Sequence, residues 1–380
     1  MKKILVASSA LVAVGFAGAA QASEPISLSV GGYMEQYVGV VEKDSKLGRS
    51  QNKIQSDTEI HFKGATTLDN GIEIGAVVEL EGEAGNNVDE EYLFINGGFG
   101  QVKLGSEDGA AADMAIQAPG AGGYGSNDGG LEDWSGIGPV DTNNFSGDAR
   151  RVTYYTPVIG GFRAGLSYVD DITSETGDTG VKNDVGGAVW SGGAEFRNDF
   201  DGFSLAVSAV GEYTDPRAGN SLATTINLDN GKSYSVGANV GFGNFTVGGS
   251  YGASDEWFNY SVATRTTALA TLTAGATTQQ VITGSTDRKG FDFGVSYAMD
   301  AATVAINYAS EDRDNYSVSN STLTGAGTET EIDALTLGMN YTLGAGVVWQ
   351  ANVFWTEVDA AGTANDGDAY GAITGLKLSF

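Results

Sequence analysis

Gly346–Val358 reads GVVWQANVFWTEV. Val347, Trp349, Ala351, Val353 and Trp355 share one parity, and Gln350, Asn352 and Thr356 share the other. Side chains alternate faces along an extended chain, so this is a strand with one apolar and one polar face. A dry core would leave those amides and hydroxyls unsatisfied. The apolar face carries tryptophan near its ends, where a membrane-crossing strand meets the lipid–water boundary. A strand with lipid on one side and water on the other satisfies both faces.

The pattern recurs along the chain. In Gly71–Glu83, Ile72, Ile74, Ala76, Val78 and Leu80 oppose Glu73, Gly75, Val77, Glu79 and Glu81. In Phe291–Tyr297, Phe291, Phe293, Val295 and Tyr297 oppose Asp292, Gly294 and Ser296. Sixteen such segments are expected, at Ser27–Val41, Ile54–Thr66, Ile72–Glu83, Glu90–Asn96, Gly100–Ser106, Arg150–Pro157, Phe162–Val169, Ala188–Arg197, Phe203–Tyr213, Ser233–Phe242, Phe245–Ala253, Lys289–Ala298, Thr303–Glu311, Ile332–Thr342, Val347–Val358 and Tyr370–Phe380. An even number lets an antiparallel barrel close with both termini on one side. The connections alternate between tight turns, such as Gly243-Asn244, and long loops, such as Glu107–Ala149, Ser254–Arg288 and Asp312–Glu331. This asymmetry predicts an all-β transmembrane antiparallel β-barrel with short periplasmic turns and long external loops.

Composition narrows the function. The chain has 380 residues, 57 Gly, 5 Pro, no Cys, one His and a net charge of −28. Without cysteine there is no disulfide scaffold, thiolate metal site or thiol catalysis. Such acidity opposes nucleic-acid binding. Lys2 and Lys3, the uncharged stretch Ile4–Ala20 and the Ala20-Gln21-Ala22 sequence read as a signal peptide, residues 1–22, cleaved after Ala22. Residues 23–380 then form one exported barrel domain.

Three stretches are similar to the general porins of Gram-negative outer membranes. They are GGFGQVKLG at Gly97–Gly105, RRVTYYTPVIGGFRAGLSY at Arg150–Tyr168, and the terminal ITGLKLSF ending at Phe380. The resemblance implies a 16-stranded barrel in a homotrimer, passing small hydrophilic solutes and ions by passive diffusion. It also implies assembly through the terminal Phe380 and contact with lipopolysaccharide. The third external loop, Glu107–Ala149, would fold into the pore. Its acids, including Asp108, Asp113, Asp128, Glu132, Asp133, Asp141 and Asp148, are then candidates for the constriction.

The opposite wall departs from the family's basic pattern. Asp57, Glu59, His61 and Lys63 share a face, and Glu59 stands where many members carry arginine. Glu73, Glu79 and Glu81 add lumenal carboxylates, as do Asp89, Glu90 and Glu91 near the fourth strand. Arg151 is expected to face the lumen, with Arg150 a second candidate cation of the constriction. The predicted channel prefers cations, because carboxylates compensate a cation's lost hydration and repel anions.

No cofactor and no resident metal site are expected; external carboxylates are of the type that takes Ca²⁺ or Mg²⁺ and bridges to lipopolysaccharide. His61 reads as a lumenal polar residue without special role. Gly248–Gly252 fits G-x-S-x-G, but Ser250 lies in an alternating strand far in sequence from the single histidine, so no enzyme is expected. The alternatives are a substrate-selective sugar or ion channel on the same barrel and, beyond channels, a structural surface protein. A sugar ladder is not evident, because only Tyr155 and Phe354 depart from the lipid parity of most aromatics.

Overall fold

The computed structural model describes residues 25–47, 50–82, 88–127, 130–137, 140, 142–143, 145–170, 185–218, 230–255, 261–266, 278–319, 322–360 and 366–380. The expected signal peptide, Asp128 and Asp141 lie outside the described residues. The strands are β1 (Ser27–Lys43), β2 (Gln51–Thr67), β3 (Glu73–Glu81), β4 (Glu91–Gly97), β5 (Gly100–Glu107), β6 (Ala149–Tyr155), β7 (Phe162–Val169), β8 (Val185–Asp199) and β9 (Phe203–Ala218). They continue as β10 (Lys232–Phe242), β11 (Phe245–Asp255), β12 (Ser261–Thr266), β13 (Thr278–Ala298), β14 (Ala302–Ser319), β15 (Thr322–Gly344), β16 (Val347–Ala360) and β17 (Gly367–Ser379). Helices α1 (Ala110–Met114) and α2 (Gly130–Ser135) lie in the connection from β5 to β6.

All pairings are antiparallel, and β1 pairs with β17 from Tyr33–Ser379 to Lys43–Ala369, which closes the sheet. Closure gives every wall strand a partner on both sides, the condition for a sheet in lipid. Strand β11 pairs directly with β13, and β12 pairs with β13 further along. Of the 17 strands among the described residues, 16 therefore build the wall, and β12 extends it beyond the loop end. Phe242 pairs with Phe245 across Gly243-Asn244, where Gly243 has φ 57°, the left-handed conformation a two-residue hairpin needs.

Two connections differ from expectation. Much of Ser254–Arg288 and Asp312–Glu331 is strand, because β13, β14 and β15 run on as tall hairpins. Their polar, Thr- and Ser-rich extensions carry no apolar alternation, yet β-branched residues keep the ladder once register is set. No helix among the described residues is long and apolar enough to cross a membrane.

The outer face carries aliphatic side chains between two aromatic rims. Phe162, Phe203, Phe242, Phe245 and Tyr297 stand at the short-turn end. Tyr168, Trp190, Tyr213, Tyr234, Tyr251, Phe291, Tyr308, Trp355 and Tyr370 stand at the loop end. Phe203 and Tyr213 are ten residues apart on β9. At about 3.3 Å per residue and about 40° tilt this spans about 25 Å, the height of a bilayer's apolar band. The upper rim is absent from β1–β6, whose outer face instead places Gln36, Ser56 and Thr58 among Met34, Val38, Ile54 and Ile60.

The buried core lies inside the barrel, between the third loop and the wall. Tyr124, Leu131 and Trp134 of the loop pack on Tyr37, Val41, Phe354 and Ile373. Ile137 and Val140 pack on Ala309, Ile332, Ala334, Val358, Ala360 and Ala369.

Candidate functional site

The third loop folds inward and follows the wall strand by strand. Ala110 N donates to Ser167 Oγ on β7 (2.8 Å), Ala111 N to Ser191 Oγ on β8 (3.0 Å) and Ile116 N to Ser208 Oγ on β9 (3.0 Å). Ala118 N donates to Asp292 Oδ1 on β13 (2.9 Å), and Gly122 N to Asn340 Oδ1 on β15 (2.9 Å). Asn352 Nδ2 on β16 donates to Tyr124 O (2.6 Å). Where the wall would crowd the loop backbone it has glycine: a Cβ at Gly237 would stand 1.8 Å from Ile116 O, and one at Gly338 1.7 Å from Ala121 O. The returning chain meets the same wall, with Thr142 Oγ1 2.7 Å from Ser250 Oγ and Ser146 N donating to Glu212 Oε2 (2.7 Å).

Asp292 joins the two passes. Its carboxylate accepts from Ala118 N, Ser250 N (2.6 Å), Ser250 Oγ (2.8 Å), Asn127 Nδ2 (2.8 Å) and Thr142 Oγ1 (3.3 Å). Ser250, the centre of the G-x-S-x-G match, is thus a loop anchor within β11.

The wall of β1–β5 carries the densest charge. Inward positions there include Glu35, Asp57, Glu59, Glu73, Glu79 and Glu81, with Lys53, His61, Lys63 and Lys103. His61 Nε2 lies 3.1 Å from Glu59 Oε2 and 3.5 Å from Glu79 Oε2. Further cations of the inner wall are matched: Arg163 and Arg197 flank Glu195 at 2.6 and 2.7 Å, and Arg288 and Arg313 flank Glu311, each at 2.6 Å. Lys377 pairs with Glu35.

Asp57 accepts from Tyr33 Oη (3.3 Å). Glu73, at the short-turn end, accepts from Asn96 Nδ2 (2.7 Å). Glu81 registers opposite Glu59. Asp113, in α1, accepts from Tyr155 Oη and lies 3.6 Å from Lys103 Nζ. In α2, Glu132 is exposed, while Asp133 is tied to β2 through Lys53 Nζ on its carbonyl (2.9 Å) and Gln55 Nε2 on its carboxylate. Asp108 converges with Glu90 and Asp148, their carboxylate oxygens within 4.8 Å of one another. Burial, followed by the charges of Glu79 and Asp148, pushes Glu90 up to about 8. Burial and Asp113 likewise raise Asp108, against the pull of Arg151.

The two arginines take opposite faces. Arg150 alternates onto the outer face with Val152 and Tyr154 and pairs there with Glu91 at 3.0 Å, so it does not line the pore. Glu91 leaves the lumenal set for the same reason. Arg151 does point inward, but it is 3% exposed beneath the third loop and donates to Gly147 O. It fastens the loop rather than facing an open bore.

Aromatics turned inward are more numerous than expected. Beside Tyr155 and Phe354 stand Tyr33, Tyr37, Tyr92 and Phe94, on β1 and β4. Cations lie over several rings: Lys377 over Tyr33 (4.4 Å), Lys63 over Phe94 (5.2 Å), Lys103 over Tyr92 (4.7 Å) and Arg163 over Tyr155 (4.8 Å). Asp292 and Glu212 were visible as polar-face residues, but their role depends on a partner more than sixty positions away.

This geometry has known counterparts. The family model for Gram-negative porins matches residues 7–361. An uncharacterized protein of Rickettsia conorii is 26% identical over 339 residues, covering 66% of this chain and 77% of its own. The outer membrane porin protein 32 of Delftia acidovorans is 29% identical over 188 residues, 45% of this chain and 50% of its own. Among solved structures, an anion-selective porin from Comamonas acidovorans superposes with a TM-score of 0.60 at 19% identity, covering 94% of this chain and all of that one. A trimer form of the outer membrane protein OmpT of Vibrio cholerae gives 0.56 at 13% identity, over 95% of this chain and 100% of its own. With a porin family model spanning most of its length and a closed porin barrel for a fold, this chain belongs to the Gram-negative porins and resides in the outer membrane.

Proposed function

We propose that the protein is a passive channel for small hydrophilic solutes and ions with a preference for cations. The observation that carries the preference is the acidic wall of β1–β3, where Glu35, Asp57, Glu59, Glu73, Glu79 and Glu81 face Lys53, His61 and Lys63. A low-dielectric wall strengthens that field, and a cation passing it recovers hydration energy that an anion forfeits. The third loop, carrying Asp113, Glu132 and Asp133, narrows the passage. No catalytic step is assigned to it. The loop-end acids Glu90, Asp108 and Asp148 suit Ca²⁺ or Mg²⁺ in chemistry, as oxygen donors.

A homotrimer is the assembly this reading favours. The outer face of β1–β6 lacks the upper aromatic rim and places polar side chains at mid-band, which suits contact with a second copy rather than lipid. Terminal Phe380 would serve barrel assembly, and the outer acids would meet lipopolysaccharide.

The test is the reversal potential of the purified protein in a planar bilayer under a KCl gradient. A cation-selective sign is expected. Glu59→Gln with Glu79→Gln should lower the cation-to-anion permeability ratio by about fivefold, the equivalent of about 1 kcal/mol. Anion selectivity in the native protein would overturn the preference. One observation favours a second reading, a channel selective for particular organic solutes: the inward Tyr33, Tyr92, Phe94 and Tyr155 carry cations over their rings. Saturation of the ion current by one sugar or organic acid would support it.

A further inference from the structure

We propose that Glu59, His61 and Glu79 form a binding site for a borderline divalent transition-metal cation of the Zn²⁺ class on the inner wall. The three come from adjacent strands. His61 on β2 registers opposite Glu79 on β3, and Glu59 lies two positions along the same inward face. The Nε2 atom of His61 is 3.1 Å from Glu59 Oε2 and 3.5 Å from Glu79 Oε2. In a tetrahedral zinc site with bonds of about 2.0 Å, neighbouring donor atoms stand about 3.3 Å apart. The two observed separations bracket that value, and the donor atoms of all three residues lie within 4.8 Å of one another. A cation could occupy the space they enclose with only small side-chain movement.

His61 Nε2 supplies a separate observation. It is shielded from solvent and has the two carboxylates at ion-pair distance but no well-directed hydrogen bond, although the ring as a whole is 36% exposed to the lumen. A buried nitrogen without a hydrogen-bond partner is costly. A metal bond to its lone pair would remove that cost, and the open side of the ring gives a cation access and leaves a position for water. The imidazole also selects the metal. Ca²⁺ and Mg²⁺ prefer oxygen-only donor sets, whereas one imidazole with two carboxylates suits Zn²⁺, Cu²⁺ or Ni²⁺. Surrounding charge favours a divalent cation: Glu81 registers opposite Glu59, and Asp89 N donates to the Glu79 carbonyl (2.9 Å), which brings another carboxylate alongside. The competing arrangement with the same distances is an imidazolium held between two carboxylates, with no metal.

His61 is the single histidine of the chain, so any imidazole bound to a metal in untagged protein is His61. The experiment loads the folded, detergent-solubilised protein, purified without a histidine tag, with Cu²⁺ and records its electron paramagnetic resonance. Zn²⁺ affinity is measured in parallel by calorimetry. Coupling to one imidazole nitrogen is expected in the native protein and its loss in His61→Gln. Zn²⁺ affinity should fall by at least about tenfold in His61→Gln, the size that loss of even an outer-shell partner causes. It should fall similarly in Glu79→Gln, which keeps the imidazole. Absence of the nitrogen coupling, or equal Zn²⁺ binding by native and His61→Gln proteins, would overturn the site and leave the imidazolium bridge. Only the current measurement rests on the channel reading: Zn²⁺ should reduce K⁺ conductance in native protein but not in His61→Gln, and Mg²⁺ at the same concentration should not. Binding is read spectroscopically, so failure of the channel reading and failure of the metal site are distinguishable.

Discussion

The arc β7–β17 and the arc β1–β6 use the same alternation for different ends. On β7–β17 many inward residues are Ser, Asn or Gly, the arginines there are paired with Glu195 and Glu311, and the third loop bonds along the small polar ones. The outward residues there reach both aromatic rims. On β2–β5 the inward residues are mostly charged or aromatic, and on β1–β6 the outer face is aliphatic with polar insertions. Small polar residues let a backbone approach closely and receive its N–H groups. Charged residues need water or partners, and so line a passage. One half of the barrel seats most of the third loop's backbone; the other carries the charged inner wall. The outer surfaces differ correspondingly: one carries both aromatic rims, and the other places polar side chains at mid-band.

The largest expected effect breaks the seat. Asp292→Ala would leave Ala118 N, Ser250 N, Ser250 Oγ, Asn127 Nδ2 and Thr142 Oγ1 without their shared acceptor. Hydrogen bonds to a charged group contribute about 1.5–3 kcal/mol each, so the loop should lose several kcal/mol of attachment. Single-channel recordings should show large current fluctuations, and protease should cut between residues 108 and 148. Glu59→Ala on the opposite arc should leave the loop protected. Equal protease resistance in both variants would mean that the seat is not held by Asp292.

The alternation itself is what made the fold legible. β7 was placed at Phe162–Val169 and observed there, because Phe162, Leu166 and Tyr168 must face lipid while Arg163 and Ser167 must not. The extensions of β13–β15 are not legible, since the Thr- and Ser-rich stretches at residues 278–288 and 315–331 carry no apolar alternation. The acids expected on one face of β2 and β3 do share a side of that pair, with Glu59 opposite Glu81 and His61 opposite Glu79. Arg150 and Arg151 were not both assignable: adjacent residues on a strand point to opposite faces, so at most one could line the pore. The roles of Asp292 and Glu212 stayed hidden because a strand's parity says which way a carboxylate points but not which loop arrives there.

The outer division makes a smaller prediction. Thr58 on β2 and Ala209 on β9 both face outward. Thr58→Trp should disrupt the oligomer if β1–β6 packs on a second copy, since overpacking an interior contact costs about 1–3 kcal/mol. Ala209→Trp should be neutral in lipid, which accepts the extra ring. Unheated gels after gentle solubilisation would show the first variant as monomer and the second as native oligomer. Loss of the oligomer in both, or in neither, would remove the division.

The smallest effect concerns the loop end of the acidic arc, at β4–β6. Glu90 is half-buried beside Asp108 and Asp148, and its carboxyl sits at about 8 against an ordinary 4.5. Between those values the folded protein keeps a proton that the unfolded chain releases. Stability should therefore fall as pH rises from about 4.5 to about 8 and level off above. Ionisation above 8 also adds a negative charge at the mouth, so cation selectivity should step upward there. Glu90→Gln should flatten both profiles, in urea unfolding and in reversal potential. Glu132→Gln, on an exposed side chain of the third loop, should leave the step near pH 8 in place. A step that survives Glu90→Gln would assign the titration to other acids of the acidic arc.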